Sequence, residues 1–238
     1  MHARERVEAK QHCESCPLRS QGYFCHLEQA AAQEFETIRF SASYPTGVTL
    51  FQEGEQSRGV FVLCSGKVKL TMSSSGGKTL ILRLAKPGEM LGLIAAIGSG
   101  KYEAAAETLE PSRAVFIRQD DFFRFITCHP EVYQSLLRQS SQQYSAACEQ
   151  IRTIALTGSS REKLARLLLQ WSSEGRETAE GYRICVPLTH EQIAECVGST
   201  RETVTRTLSE FKHSHLVTLR GATMIIPDRE ALAAVGGG

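Results

Sequence analysis

The segment THEQIAECVGSTRETVTRTL constrains the fold of the C-terminal part more than any other stretch of the chain. Thr189 opens a T-x-x-Q capping box, which predicts the start of a helix. Gly198 is the residue type that ends a helix in a left-handed conformation. Ser199 and Glu202 repeat the start signal as S-x-x-E, so a second helix is expected to begin at once. Two helices joined by so short a turn predict a helix-turn-helix.

The second helix of this pair is predicted to have two different faces. Val204, Leu208 and Phe211 have the i, i+4, i+7 spacing of a buried face. An arginine can bond guanine O6 and N7 together, a glutamate can accept from cytosine N4, and a threonine can meet a phosphate or a thymine methyl group. The helix and its capping residue are therefore expected to read DNA through the polar set Ser199, Thr200, Arg201, Glu202, Thr205, Arg206 and Ser209.

The segments around the helix pair fit a winged DNA-binding domain. Upstream, SREKLARLLLQWSSE is predicted to form an amphipathic helix, and GRETAEGY is predicted to be a polar loop. Downstream, LVTLRGATMIIP is predicted to form two strands around Arg220-Gly221, with Arg220 placed for backbone phosphate. Residues 157–238 carry ten basic and ten acidic side chains. Local placement rather than bulk charge must therefore supply DNA affinity.

The region between residues 36 and 118 is predicted to consist of short strands. VFVL, KVKLTM, TLILRLA and SRAVFIR are β-rich runs separated by glycine-containing turns. In KVKLTM, lysine and threonine alternate with Val68, Leu70 and Met72, as on a half-buried sheet. Many short strands of this kind indicate a sandwich or barrel.

A long helix of about 25 residues is predicted after Pro130. Its apolar positions alternate in steps of three and four, which is typical of a coiled-coil seam. A helix packed on its own domain is the alternative. We interpret the helix as a dimer axis with the seam Leu137, Ser140, Tyr144, Ala147, Ile151 and Ile154.

Composition points to a soluble cytoplasmic protein. Hydrophobic residues make up 42% of the chain, charged residues 22%, and the net charge is +1. No apolar run reaches the roughly 18 residues of a membrane span, and the start MHARERVEAK lacks the apolar centre of a signal peptide. Eight cysteines in a reducing compartment predict free thiols. Cys64, Cys148, Cys185 and Cys196 are expected to be small buried hydrophobes.

The other notable cysteines form the cluster HCESCPLRSQGYFCH near the N-terminus. Cys13, Cys16 and Cys25 have the spacing C-x2-C-x8-C. Three thiolates are one ligand short of a closed zinc or iron–sulfur site. The cluster is therefore a candidate metal site that needs a fourth ligand.

These motifs together resemble the CRP/FNR superfamily of bacterial transcription regulators, with RETVTR similar to the recognition helix of that family and GLIAAIGSGKYEAAAETLE similar to the sensor segment of its FNR branch. The resemblance implies an α+β fold with an N-terminal double-stranded β-helix (a jelly roll like a cyclic-nucleotide-binding domain), a long dimerisation helix and a C-terminal winged helix-turn-helix. It also implies a homodimer on palindromic DNA with TGA/TCA-like half-sites, acting with RNA polymerase. The expected segments are a cysteine-containing segment 1–35, a sensor domain 36–118, a dimerisation helix 119–156 and a DNA-binding domain 157–238.

The same resemblance argues against cAMP as the signal. GEMLG matches the family's G-E motif, but the position of the ribose-binding glutamate is Leu93. The phosphate-binding Arg-Ser pair falls on Glu103-Ala104, where a carboxylate repels phosphate. We therefore expect no cAMP binding.

The N-terminal cysteines resemble those that hold a [4Fe–4S] cluster in the FNR branch. The fourth cysteine of that branch belongs in SRAVFI, where alignment places Val115, which cannot bind a metal. Cys64, His12 or His26 would have to replace it. An iron–sulfur cluster, a zinc ion with a histidine ligand, and a metal-free cap with reduced thiols all stay open.

Functions of other classes find less support in the sequence. No nucleophile–base pair, phosphate-binding loop or paired-carboxylate motif stands out, so the protein is predicted not to be an enzyme. A thiol redox enzyme using Cys13-Glu14-Ser15-Cys16 is the remote alternative. A regulator that responds to a small molecule in the jelly roll, other than cAMP and with structural cysteines, is the nearer one.

Overall fold

The computed structural model describes residues 16–18, 24–156, 158–173, 175–221 and 223–237. The chain divides into two compact units, the first with residues up to 77 and 82–145, the second with residues 78–81 and 146–238.

Two four-stranded sheets form the β-rich body of the first unit, with strand orders β1-β8-β3-β6 and β2-β7-β4-β5. The strands are β1 (Arg39–Tyr44), β2 (Thr49–Phe51), β3 (Gly59–Ser65), β4 (Val68–Ser73), β5 (Thr79–Ala85), β6 (Met90–Leu91), β7 (Ala105–Thr108) and β8 (Ser112–Arg118). A π-helical turn, Ala95–Ser99, follows β6. Apart from Lys67, which precedes β4, all four predicted β-runs lie in strands. Val68 and Leu70 are buried as the alternation in KVKLTM predicted, whereas Met72 is 40% exposed.

The alternating side chains of β3 serve two hydrophobic cores, because successive residues of a strand point to opposite faces. Phe61 and Leu63 belong to a core shared by both sheets, together with residues of β2, β4 and β7. Val60 and Val62 belong to a second core on the outer face of the first sheet. Strand β3 is therefore buried on both faces, which explains its nearly continuous apolar sequence.

Three helices and the segment before them cover that outer face: α1 (Gln29–Ile38), α2 (Gln119–Cys128) and the first part of α3 (Val132–Ala155). Phe24, Phe35 and Phe125 pack against one another there, with ring centroids 5.4 to 6.1 Å apart. The helix predicted after Pro130 is α3. The segment 119–156 thus holds two helices, and from Phe24 onward the N-terminal segment packs on the core of the sensor.

The second unit has the helix-turn-helix and wing predicted for residues 157–238, with two differences: a hairpin in place of the polar loop, and a C-terminal helix, Arg229–Val235, that no sequence pattern predicted. It contains α4 (Ser160–Ser172), β9 (Arg176–Thr178), β10 (Gly181–Cys185), α5 (His190–Val197), α6 (Arg201–His213), β11 (Thr218–Arg220), β12 (Thr223–Ile226) and α7 (Arg229–Val235). The predicted polar loop GRETAEGY is wrong, since β9 and the start of β10 form an antiparallel hairpin there. Strand β9 lies at the edge of the sheet β11-β12-β10-β9. Most of its side chains face water, so the strand lacks an apolar alternation.

The predicted amphipathic helix is α4, in which Leu164, Leu167 and Leu168 are buried. In the described part of the chain, no helix combines the length and the hydrophobicity that a membrane span requires.

Candidate DNA interface and sensor site

Helix α5 begins with the predicted capping box. Thr189 Oγ1 accepts a hydrogen bond from the Gln192 backbone N–H at 3.2 Å, and Gln192 Oε1 accepts from the Thr189 N–H at 2.9 Å. The helix ends at Gly198, whose φ of 62° and ψ of 41° are left-handed. Both predictions for this helix are therefore confirmed.

The second predicted capping box is wrong. Helix α6 has Thr200 as its N-cap, with Thr200 Oγ1 accepting from the Thr203 backbone N–H at 3.3 Å. The Ser199 hydroxyl instead donates to Ser160 Oγ at 3.0 Å, on helix α4. Since Thr200 has the extended backbone of an N-cap, with φ −105° and ψ 154°, the helix starts one residue later than S-x-x-E suggested.

The two faces of α6 are as predicted. Val204, Leu208 and Phe211 are buried against the rest of the unit. The opposite face is exposed and carries Arg201, Glu202, Thr205, Arg206 and Ser209. Among the described residues, the side chains of Arg201, Glu202 and Arg206 have no hydrogen-bond or ion-pair partner, so they are available to a ligand in solution.

The two hydroxyl groups on this face are already engaged within the protein. Thr205 Oγ1 donates to the Arg201 backbone carbonyl at 2.9 Å, and Ser209 Oγ donates to the Thr205 carbonyl at 2.9 Å. His190, the first residue of α5, brings Nδ1 within 2.8 Å of Thr205 Oγ1. No local sequence pattern signals this contact, because its two residues are fifteen positions apart and lie on different helices.

The predicted wing is the hairpin of β11 and β12, in which Thr218 pairs with Ile225 and Arg220 with Thr223. Gly221 turns the chain with a φ of 62°. Arg220 Nη1 lies 3.1 Å from Glu180 Oε2 in the β9–β10 turn, and both side chains are more than half exposed. An exposed pair of this kind is worth about 0–1 kcal/mol, so Arg220 can leave Glu180 for a phosphate.

The predicted seam of α3 is largely uncovered in a single chain. Leu137 is 69% exposed, Tyr144 73% and Ile151 64%, and Ala147 is exposed as well. Ile154 is half-buried, and its Cγ2 lies 3.6 Å from the position that a Cβ on Gly198 would take. Four of the six seam residues thus form an exposed stripe on α3, whereas Ser140, like Ile154, is half-buried.

The positions compared with a cyclic-nucleotide site do not share one core, since Leu93 packs on the outer face of the first sheet and Ala104 packs in the core shared by both sheets. Leu93 is 1% exposed and Ala104 2% exposed, whereas Glu103 is exposed. The Tyr102 ring stacks on Phe51 with centroids 3.9 Å apart, and its hydroxyl donates to the Gly59 carbonyl at 2.9 Å. This aromatic pair therefore occupies the core that contains Ala104.

Of the three clustered cysteines, Cys16 and Cys25 are half-buried, and Cys13 lies outside the described residues. Cys25 and Cys64 both pack against the core on the outer face of the first sheet, which also contains Val115. Burial raises the pKa of the Cys64 thiol, and nearby Cys16 adds to the rise, whereas Arg113, Arg39 and a backbone hydrogen bond from Val115 oppose it. In the part of the chain that the structure describes, no three His, Cys, Asp or Glu side chains are grouped to hold a metal ion.

The isolated cysteines differ from one another in burial. Cys196 is buried as predicted, and Cys64 and Cys148 are half-buried. The prediction for Cys185 is wrong, because its side chain is exposed on β10. Strand β10 buries only Ile184 fully, so Cys185 lies on the opposite, solvent-facing side.

Family comparisons agree with both units. Residues 162–235 match the model of the Crp-like helix-turn-helix domain, and residues 41–129 match the model of the cyclic nucleotide-binding domain.

Similar proteins extend over nearly the whole chain. A CRP-like cAMP-activated global transcriptional regulator of Mycobacterium tuberculosis is 29% identical over 89% of this chain and 95% of its own. The nitrogen fixation regulation protein FixK of Bradyrhizobium diazoefficiens is 27% identical over 93% of this chain and 94% of its own. The structure of a CooA mutant from Carboxydothermus hydrogenoformans has a TM-score of 0.76 at 18% identity, over 89% of this chain and 93% of that one. The chain therefore belongs to the CRP/FNR family of transcription regulators, which bind DNA through a helix-turn-helix.

Proposed function

We propose that the protein acts as a homodimer on a palindromic DNA site with TGA/TCA-like half-sites, and regulates transcription there together with RNA polymerase rather than as an enzyme. The observation that carries the proposal is the exposed face of α6. Arg201, Glu202 and Arg206 are unpartnered within the described chain and stand on one face, above a buried face that fixes the helix in its domain.

The chemistry of this face suits base edges in a major groove. Two arginines offer bidentate donors for guanine, and a glutamate between them offers an acceptor for cytosine N4. The wing supplies Arg220, and the exposed stripe on α3 supplies an apolar surface for a second copy. Two recognition helices related by a two-fold axis read two inverted half-sites.

Selection from a random duplex pool with the purified full-length protein tests this proposal. We expect an inverted repeat with TGA-like and TCA-like half-sites, in which a G·C pair is flanked by A·T pairs, and one dimer bound per duplex. The selected site should bind about 10³-fold or more tightly than a scrambled duplex at the same salt concentration. Recovery of no common sequence would overturn the proposal.

We further propose that the N-terminal cysteines act as the signal input, with Cys64 as the fourth thiol. The supporting observation is that Cys64 lies beside Val115, whose backbone makes a hydrogen bond to the Cys64 thiol and lowers its pKa. Val115 is the position where the resemblance placed the missing ligand. Cys64 and Cys25 also pack against one core, and Cys16 is close enough to influence the Cys64 thiol.

Four thiolates are the ligand set that iron–sulfur clusters and structural zinc prefer. The residues that would hold such a group are Cys13, Cys16, Cys25 and Cys64. A small-molecule signal in the jelly roll, other than cAMP, is the competing proposal. It is less favoured because the stacked side chains of Phe51 and Tyr102 occupy the core that contains Ala104.

Anaerobic purification followed by iron, sulfide and zinc assays separates these proposals. Iron and sulfide at about four per chain would support a cluster, and the Cys64→Ala variant should then lose most of both. The Cys128→Ala variant, which removes an exposed thiol, is the matched control and should keep them. A colourless protein without iron or zinc that still binds its DNA site would reject the metal and leave a thiol-only or small-molecule signal.

A further inference from the structure

The contact between His190 and Thr205 joins the first helix of the helix-turn-helix to its recognition helix. His190 Nδ1 and Thr205 Oγ1 are 2.8 Å apart. His190 is the first residue of α5 and is half-buried, whereas Thr205 is exposed in the first half of α6. The contact therefore lies beside the side chains that are proposed to read DNA.

The single hydroxyl proton of Thr205 determines which group donates in this contact. A threonine hydroxyl has one proton and two lone pairs. Thr205 Oγ1 gives its proton to the Arg201 carbonyl at 2.9 Å. Both contacts are satisfied together only when His190 Nδ1 carries a proton and donates it to Thr205. The neutral Nδ1–H tautomer and the imidazolium both meet this condition.

Thr205 consequently has no proton left to donate to a ligand. Phosphate oxygens, guanine N7 and O6, adenine N7 and thymine O4 are all acceptors, and none of them can bond this hydroxyl unless an internal bond breaks. The other group that the exposed side chain offers is its Cγ2 methyl. The complementary group in a major groove is the C5 methyl of thymine.

We propose that His190 is a positioning residue of the DNA-reading surface, which holds the Thr205 hydroxyl so that Thr205 contacts a thymine methyl group. The proposal rests on the proposed DNA-binding function and adds one specificity rule to it. The loss of a single methyl contact should weaken binding by about three- to tenfold.

Replacement of each thymine of the selected site by deoxyuridine, one at a time, tests the proposal, since it removes only the methyl group. Affinity is measured by fluorescence anisotropy at fixed salt with the full-length protein. Wild type and Thr205→Val should lose three- to tenfold at one thymine of each half-site, and Thr205→Ser should show no loss there. His190→Leu should reduce the thymine-to-deoxyuridine ratio toward one, and His190→Asn, which retains an N–H donor, should restore it.

His213→Ala is the matched control. His213 lies on the same helix and its Nδ1 contacts the Ser209 carbonyl at 2.8 Å, so its loss should leave the ratio unchanged. If Thr205→Val loses specific binding while Thr205→Ser retains it, the hydroxyl is the reading group and the proposal is wrong. A wild type that binds its selected site equally well with deoxyuridine at every position also overturns the proposal, yet leaves the DNA-binding function intact. Failure of the proposed function would differ, because no selected site would then exist.

Discussion

The side-chain amide of Gln139 holds both backbone polar groups of Met90. Gln139 Oε1 accepts from the Met90 N–H at 2.9 Å, and Gln139 Nε2 donates to the Met90 carbonyl at 2.7 Å. Gln139 is only 3% exposed although it is polar. Strand β6 lies at the edge of its sheet, so helix α3 supplies the hydrogen bonds that a further strand would supply to Met90.

Replacement of Gln139 by leucine should loosen β6. It would leave two buried backbone groups without their partner, which costs about 1–3 kcal/mol for each unsatisfied group. Gln143 Nε2, at 3.4 Å from the Met90 carbonyl, can recover part of this loss. Hydrogen exchange followed by mass spectrometry should show faster exchange in the peptide with Met90. Gln142→Leu, on an exposed position of the same helix, is the control. Equal protection of the Met90 peptide in both variants would contradict this role of Gln139.

Local signals in the sequence predicted helices α3 to α6, the wing and four strands of the first unit, whereas contacts between distant residues escaped prediction. The Thr189 capping box and the spacing of Val204 and Leu208 are local, so α5 and the faces of α6 could be read directly. The N-cap of α6 is Thr200 rather than the predicted Ser199, because the Ser199 hydroxyl bonds a residue of another helix. No single-sequence pattern encodes such a partner.

Separation along the chain also explains why two contacts at the candidate sites were not predicted. The Arg220–Glu180 pair spans 40 residues, and Cys64 meets Val115 through two strands that the register of the sheet brings together. Strand register depends on turns and on both cores at once. The sequence therefore identified which side chains are chemically suited to the sites, and the fold decided which of them meet.

Arg206→Ala should weaken binding to the selected site by roughly 1–3 kcal/mol and relax the preference for one guanine. The guanidinium is exposed and has no partner in the described part of the protein, so truncation removes a DNA contact without breaking an internal bond. Binding to single-base variants of the site provides the measurement. Lys212→Ala, near the C-terminal end of the same helix, should reduce binding less and without base preference. An equal loss on every sequence for Arg206→Ala would make it a phosphate contact only.

Glu180→Gln should strengthen DNA binding about two- to fivefold at moderate salt, since an exposed ion pair competes by at most about 1 kcal/mol. The change releases Arg220 from its ion pair at 3.1 Å and removes a negative charge near the wing. Binding titrations at several salt concentrations should also show a steeper salt dependence, as one more cation meets a phosphate. Glu177→Gln, on exposed β9, changes the same charge without touching Arg220. If both variants gain equally, only net charge matters.

Tyr144→Glu should shift the protein from dimer toward monomer. Tyr144 is 73% exposed at the centre of the proposed seam, and two glutamates brought together near a two-fold axis would repel each other while losing aromatic contact. The dimer dissociation constant should rise at least about tenfold, which corresponds to about 1.4 kcal/mol. Sedimentation velocity over a concentration series measures it. Ile151→Glu should act similarly, and Gln142→Glu, which adds the same charge at an exposed position away from the seam, should not. A Tyr144→Glu protein as dimeric as wild type would place the interface elsewhere.

Cys196 should remain unreactive in the native protein and should make the second unit sensitive to alkali. Burial raises the pKa of the Cys196 thiol to about 12 from its usual 9.0, and neighbouring Glu195 adds to the rise. At pH 8 the native thiol is protonated and enclosed, so iodoacetamide should label exposed Cys185 and Cys128 well before Cys196.

The alkaline effect follows from proton linkage. Above pH 9 the unfolded chain loses the Cys196 proton while the native chain keeps it, so the stabilisation present below pH 9 is lost progressively as the pH rises toward 12. Urea unfolding followed by Trp171 fluorescence between pH 8 and 10.5 should show this decline. Cys196→Ala should unfold more easily at pH 8, because it removes a buried side chain, but its stability should fall less steeply with pH. Cys185→Ala should retain the wild-type slope, and an unchanged slope in Cys196→Ala would show that this thiol does not control the alkaline transition.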